Sequence, residues 1–98
     1  MDKILNYMIN TLGRKHNYAA KVAAPFAKHD DIRIELEQWI DRQVYPQEAP
    51  LMIEGYSAEM IAKMAPFMSG IGVYNFLITL REHPDEGKSI IGEGFPIE

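Results

Sequence analysis

The chain has 98 residues, no cysteine and a net charge of −4, and its apolar fraction of 47% is typical of a globular protein. This length suffices for one domain with a modest core, and the lack of cysteine excludes disulfides, thiol catalysis and cysteine-ligated zinc. A signal-peptide pattern and a bilayer-spanning apolar run are both absent, so we expect a soluble cytoplasmic protein.

The charge is unevenly distributed along the chain. Residues 1–29 hold five bases and one acid, a net charge of +4. Residues 30–98 hold thirteen acids and five bases, a net charge of −8. Such an asymmetry indicates that the two segments favour different partners.

Residues 2–24 are predicted to form the first helix. Apolar residues recur at helical spacing up to Leu12, and alanines continue the same face, where another helix could approach closely. Gly13 weakens this helix, and Pro25 breaks or kinks it. Bases at every seventh position share one face, which is either solvated or docks onto an acidic surface of the C-terminal half or of another subunit. These bases are Arg14, Lys21 and Lys28.

The second helix is predicted to begin at an aspartate cap, Asp30 or Asp31, and to run to about Tyr45. Its apolar stripe comprises Ile32, Leu36, Trp39, Ile40 and Val44. Two prolines in residues 45–50 predict a loop and a hinge. We therefore expect one helical domain over 1–98, with a helical pair at 1–45 and a second half at 51–98.

Two further helices are predicted in the second half. Ser57 caps a short helix that Pro66 ends, and Ser69 caps a helix that runs to about residue 82, before Pro84. Residues 71–80 are apolar in almost every direction, so this last helix must be buried by its neighbours.

The remaining residues add little regular structure in this prediction. Glycines at 87, 92 and 94 argue against a long element, so residues 85–91 are expected to form at most one helical turn. The predicted fold class is all-α, a small bundle of four main helices with a helix-turn-helix-like C-terminal half.

Residues 56–81 have the proportions of a helix-turn-helix. A DNA reader would expose polar or basic side chains from the start of the second helix. The sequence offers chiefly an asparagine and a tyrosine there, and the surrounding acids oppose a phosphate backbone. If the chain binds nucleic acid, the predicted contacts are Arg14, Lys15, Lys21, Lys28, Tyr74 and Asn75.

The motifs that usually accompany catalysis are absent. The pair Gly70 and Gly72 lacks the preceding strand of a dinucleotide site, and Gly87-Lys88-Ser89 lacks the context of a phosphate loop. The three histidines are too scattered for a helical metal pair. We therefore predict a non-enzymatic protein with no catalytic residues, no cofactor and no metal site.

Part of the second half resembles a known kind of protein. Glu54-Gly-Tyr-Ser-Ala-Glu59, then Gly72-Val-Tyr-Asn-Phe-Leu77 and Leu80-Arg-Glu82, is similar to a pattern in short uncharacterised proteins of Gram-positive and gut bacteria and their mobile elements. The similarity covers residues 54–86. It implies a phage, plasmid or transposon accessory protein, and it carries over no functional residues.

The leading hypothesis is a small acidic protein-binding module, with a homodimer as one form of assembly. Within that class, an inhibitor of anti-restriction or anti-CRISPR type would place carboxylates where a nucleic-acid-handling enzyme binds phosphates. Its expected partner is a basic, nucleic-acid-binding protein. DNA is a less favoured partner, and no membrane partner is expected. The alternative is a helix-turn-helix transcriptional regulator. The candidate acids are Glu35, Glu37, Asp41, Glu48, Glu54, Glu59, Glu82, Asp85 and Glu86.

Overall fold

The computed structural model describes residues 3–42, 51–66, 68 and 70–94. These residues are mostly helical, as predicted, and the chain divides into two compact units, Met1–Pro46 and Gln47–Glu98. The predicted count of four main helices is wrong for the described residues, which form six α-helices and a small two-stranded sheet. The predicted hinge at residues 45–50 lies outside the described residues.

The single helix predicted over residues 2–24 is broken. Helix α1 (Lys3–Asn6) continues as a π-helical turn over Tyr7–Thr11, and α2 (His16–Ala23) begins only after a gap. Gly13 lies in this gap with a φ of 70°, a conformation that glycine adopts without steric cost. The N–H of Arg14 donates to the carbonyl oxygen of Met8 at 2.9 Å across this glycine, which satisfies a helix-end carbonyl. Gly13 therefore ends the helix.

A 3₁₀ turn over Ala24–Lys28 connects α2 to α3 (Asp30–Arg42). Pro25 lies in the first turn of the 3₁₀ segment, so the predicted break at this proline is confirmed. The aspartates predicted as caps, Asp30 and Asp31, lie instead in the first turn of α3. Negative charge is still favourable there because of the helix dipole.

The core of the first unit lies between α3 and the preceding segments. Ile32 and Leu36 of the predicted stripe are fully buried, whereas Val44 lies outside the described residues. Trp39 is half-buried and meets Tyr7 edge to face, with 5.9 Å between the ring centroids. The other buried apolar residues of this unit are Ile4, Met8, Ala19 and Phe26.

The second unit begins with a hairpin that the all-α prediction lacks. Strand β1 (Met52–Ile53) pairs antiparallel with β2 (Tyr56–Ser57), with Ile53 opposite Tyr56. The two loop residues, Glu54 and Gly55, both have positive φ, 54° and 86°. Two such residues make the tight turn whose twist matches that of the paired strands.

Helices α4 (Ala58–Met64) and α5 (Gly70–Glu82) confirm the main predictions for this unit. Ser57 is the N-cap of α4, and its Oγ accepts from the N–H of Met60 at 3.1 Å. The predicted cap Ser69 lies outside the described residues. Eight of the thirteen residues of α5 are buried, which confirms that the unit is built around this helix.

Helix α6 (Pro84–Gly94) corrects the expectation of at most one turn. Pro84 occupies its first position, where a missing N–H has no cost. Gly87 is buried and faces Leu80 of α5, so this glycine permits close helix packing and does not break the helix. Among the described helices, none is both long and apolar enough to span a bilayer.

Candidate functional site

The candidate acids of the first unit are largely engaged within that unit. Lys3 Nζ donates to Asp41 Oδ2 at 2.9 Å, and this hydrogen bond, with the carboxylate charge, raises the pKa of Lys3. Arg33 Nη1 lies 3.2 Å from Glu37 Oε1, one turn apart on α3. Glu35 is half-buried on the same helix. Asp41 and Glu37 are therefore each paired with a base of the first unit, and Asp41 also stays exposed to solvent.

Two candidate acids of the second unit are also near bases. Glu54 Oε2 lies 3.6 Å from Lys88 Nζ, and Glu59 Oε1 lies 3.9 Å from Lys63 Nζ. All four side chains remain well exposed, so solvent screens both pairs and each contributes little to stability. Glu48 lies outside the described residues.

Three candidate acids are brought together where α5 meets α6. Glu82 is the last residue of α5, and the other two lie in the first turn of α6. All three are exposed, and the ion pairs between described residues include neither Asp85 nor Glu86. We call this set, Glu82, Asp85 and Glu86, the acidic corner. It belongs to a segment, residues 47–98, in which eight acids face three bases.

The predicted basic stripe is not one helical face. Arg14 and Lys15 lie in the gap before α2, Lys21 lies within α2, and Lys28 ends the 3₁₀ turn. Because Arg14 precedes α2 and Lys28 lies in the 3₁₀ turn, the three bases of the stripe do not share one α-helix, which corrects the expectation of a shared face. All four side chains are nevertheless exposed.

The predicted nucleic-acid contacts on α5 are poorly placed. Tyr74 is 0% exposed, so it is a core residue of the second unit and cannot reach a DNA base from this position. Asn75 is half-buried, and its main-chain carbonyl oxygen accepts a hydrogen bond from Thr79 Oγ1 at 3.4 Å. The helix-turn-helix proportions of α4 and α5 thus lack exposed base-reading side chains at the start of α5.

An apolar groove of about 530 Å³ opens on the first unit. Its floor includes the buried side chains of Ile4 and Phe26. Arg33 and Glu37 of α3, which pair with each other, also line the groove. Part of the wall comes from four alanines of α2 and the 3₁₀ turn, Ala20, Ala23, Ala24 and Ala27. We call this feature the alanine groove.

A second cleft of the first unit is more polar and more open. It lies beside the π-helical turn and is lined by Lys3, Asn6, Asn10, Glu37 and others. Its polar side chains are mostly exposed to solvent. Among the described residues, no three histidine, aspartate or glutamate side chains are grouped to hold a metal ion.

The sequence signalled the alanine groove only in part. Small residues at 20, 23 and 24 indicated a face that a helix could approach, but the cavity depends on a 3₁₀ turn that places Ala27 on the same wall. Comparisons with protein-family models, with curated proteins and with solved structures found no match for this chain. The resemblance of residues 54–86 therefore stays a prediction.

Proposed function

We propose that the protein is a non-enzymatic protein-binding module that acts through the acidic surface of residues 47–98. The observation that carries this proposal is the acidic corner, where three exposed carboxylates lie within five residues at a helix junction. Asp85 and Glu86 enter none of the ion pairs between described residues, whereas Asp41 and Glu37 of the first unit each pair with a base of that unit. Exposed charge of one sign steers association with a surface of the opposite sign.

The hairpin turn provides a second argument. Glu54 has a φ of 54°, in a region that favours glycine and asparagine over other residues. A glutamate there carries a steric cost that a neutral asparagine would reduce. Residues that depart from local preferences often serve function. Glu54 thus supports the view that negative charge at this hairpin tip has a use.

The partner in this proposal is a basic surface of a nucleic-acid-handling enzyme. Exposed carboxylates present negative charge to a surface that otherwise binds the phosphates of a nucleic acid. The protein would then act as an accessory protein of a mobile element, an inhibitor of anti-restriction or anti-CRISPR type. This role agrees with the net charge of residues 47–98 and with the resemblance of residues 54–86.

The proposal is tested by capture of partners with a charge-neutralised variant. The full chain and the triple variant Glu82→Gln, Asp85→Asn, Glu86→Gln are immobilised and exposed to bacterial lysate, and bound proteins are identified by mass spectrometry. We expect a basic protein whose affinity for the triple variant is weaker by about tenfold. The matched control, Glu35→Gln, Glu37→Gln, Asp41→Asn, changes the net charge equally and should retain the partner. Equal loss in both variants would contradict a role of the acidic corner.

The alternative, that the chain is a helix-turn-helix transcriptional regulator, is tested with the same protein. Burial of Tyr74 weighs against it, because Asn75 remains the sole predicted reader on α5. A labelled DNA duplex is titrated at low salt and again at higher salt. Binding that falls steeply with salt would favour the regulator and contradict the inhibitor proposal.

A further inference from the structure

Helix α2 presents an exposed aromatic ring among bases. Tyr18 is 55% exposed, and it is the one tyrosine, phenylalanine or tryptophan of the described residues that lies mostly in solvent. Lys21 follows it by one helical turn on the same face, and Lys15 is the N-cap residue one turn before it. The fully buried residue of α2 is its neighbour Ala19, so the ring and both lysines lie on the solvent side of the helix.

The backbone that carries the first two bases is held by hydrogen bonds. The N–H of Arg14 donates to the carbonyl oxygen of Met8 at 2.9 Å, and the carbonyl oxygen of Lys15 accepts from the N–H of Ala19 at 2.9 Å. The bases therefore project from an ordered backbone, which lowers the entropic cost of binding. We call Arg14, Lys15, Tyr18 and Lys21 the Tyr18 surface.

The positive charge of the Tyr18 surface is available to a partner. Residues 3–29 contain no acid. Two acids of α3, Asp41 and Glu37, pair with Lys3 and Arg33, which lie outside the surface. The three bases of the surface are exposed and enter none of the ion pairs between described residues. The surface is therefore complementary to an anion.

The ring narrows the choice of anionic partner. An exposed aromatic side chain beside bases is how proteins bind single-stranded nucleic acid without reading its sequence, because a free base stacks on the ring while the bases of the protein contact phosphates. A duplex keeps its bases stacked on each other, and an acidic protein surface offers charge without a nucleobase. Neither of these partners would use the ring of Tyr18 in this way.

We propose that the Tyr18 surface binds single-stranded nucleic acid. A base stacks on Tyr18, and the phosphates beside it contact Arg14, Lys15 and Lys21. This inference goes beyond the proposed function, because it concerns residues 14–21 and not the acidic surface of residues 47–98.

Fluorescence anisotropy of a labelled oligothymidine strand of about 16 nucleotides tests the stacking contact with the full chain. We expect binding at low salt, with Tyr18→Ser weakening it about tenfold and Tyr18→Phe retaining it. An abasic strand of the same length keeps the phosphates but lacks the bases, so it should bind about tenfold more weakly. The matched control is Ile34→Ser on α3, which removes an exposed side chain of the same unit, 47% exposed, and should leave binding unchanged.

The salt dependence of the same binding tests the charges. The variant Lys15→Gln/Lys21→Gln should lower the slope of log affinity against log salt by about 1.4, because each phosphate contact on a single strand contributes about 0.7. Lys63→Gln/Lys88→Gln changes the net charge equally at two exposed lysines of the second unit and should keep the slope.

Three results would overturn the proposal. The first is the absence of strand binding at low salt. The second is a duplex or an abasic strand that binds as tightly as the intact strand, which would show that the surface attracts polyanions in general. The third is strand binding that Tyr18→Ser leaves unchanged. Capture of a basic protein by the acidic corner is measured separately, so either proposal can fail while the other stands.

Discussion

A Cβ atom built on Gly87 of α6 would lie 2.7 Å from Leu80 Cδ2 and 3.2 Å from Leu80 Cα on α5. Leu80 is fully buried, so its side chain has little room to move aside. Gly87→Ala gains about 1 kcal/mol of helix propensity. Overpacking costs about 1–3 kcal/mol, so we expect a net loss of stability in chemical denaturation.

The Leu80→Val background tests the cause of that loss. Valine lacks the Cδ2 atom that the new methyl group would meet. In this background Gly87→Ala should cost less, and the two substitutions should show a coupling free energy of about 0.5 kcal/mol or more. Additive effects would show that another contact is responsible.

The hairpin turn predicts opposite effects at adjacent residues. Glu54→Asn should stabilise the protein by roughly 0.5 kcal/mol, because asparagine tolerates positive φ and the exposed Glu54–Lys88 pair contributes little. Gly55→Ala should destabilise it by about 1 kcal/mol, since alanine is strained at a φ of 86° although nothing lies within 4 Å. Thermal unfolding of both variants measures the contrast. A stabilising Gly55→Ala would contradict the assigned backbone conformation.

The capping hydrogen bond of Ser57 predicts a loss on truncation. Ser57→Ala removes the acceptor for the N–H of Met60 and should cost about 1 kcal/mol in the free energy of unfolding. Ser57→Thr keeps the hydroxyl group and suits the extended backbone at this position, so it should retain most of the stability. A Ser57→Ala variant as stable as the unchanged chain would contradict the contribution of this cap.

The Lys3–Asp41 pair predicts that the protein loses some stability at alkaline pH. Its hydrogen bond raises the pKa of Lys3 above the ordinary value of 10.5. The pair's stabilisation is therefore complete below the unfolded pKa and is lost as pH rises through the folded pKa. An NMR titration of the Lys3 side chain should show a raised midpoint that Asp41→Asn returns toward the ordinary value. An unchanged midpoint in Asp41→Asn would contradict the assigned cause.

Local chemistry explains which elements were predictable. Ser57 has a capping side chain that acts within its own turn, and Pro25 lacks the N–H that a continuing α2 would need. The apolar sequence from Ile71 to Leu80 requires burial in any fold, which α5 confirms. Each of these features depends on residues a few positions apart, so the sequence alone carries the relevant information.

Other predictions failed where one type of residue can serve two structural purposes. Gly13 takes a positive φ and ends a helix, whereas Gly87 lies within a helix and makes room for Leu80. Tyr74 occupies a position where a reader of DNA would be exposed, yet packing buries it completely. The spacing of residues along the chain predicts neither the role of a glycine nor the burial of Tyr74, because both depend on which side chains pack nearby.

By itself, the sequence determined the helical class, the buried helix α5 and the opposite charges of the two ends of the chain. Only the tertiary structure decided that Asp41 pairs with Lys3, 38 residues away, while Asp85 and Glu86 enter none of the ion pairs between described residues. It also decided that small residues on α2 form the wall of a groove with Phe26 in its floor. The physical reason is that side-chain exposure and pairing depend on residues distant in sequence, whereas periodicity and capping depend on neighbours along the chain.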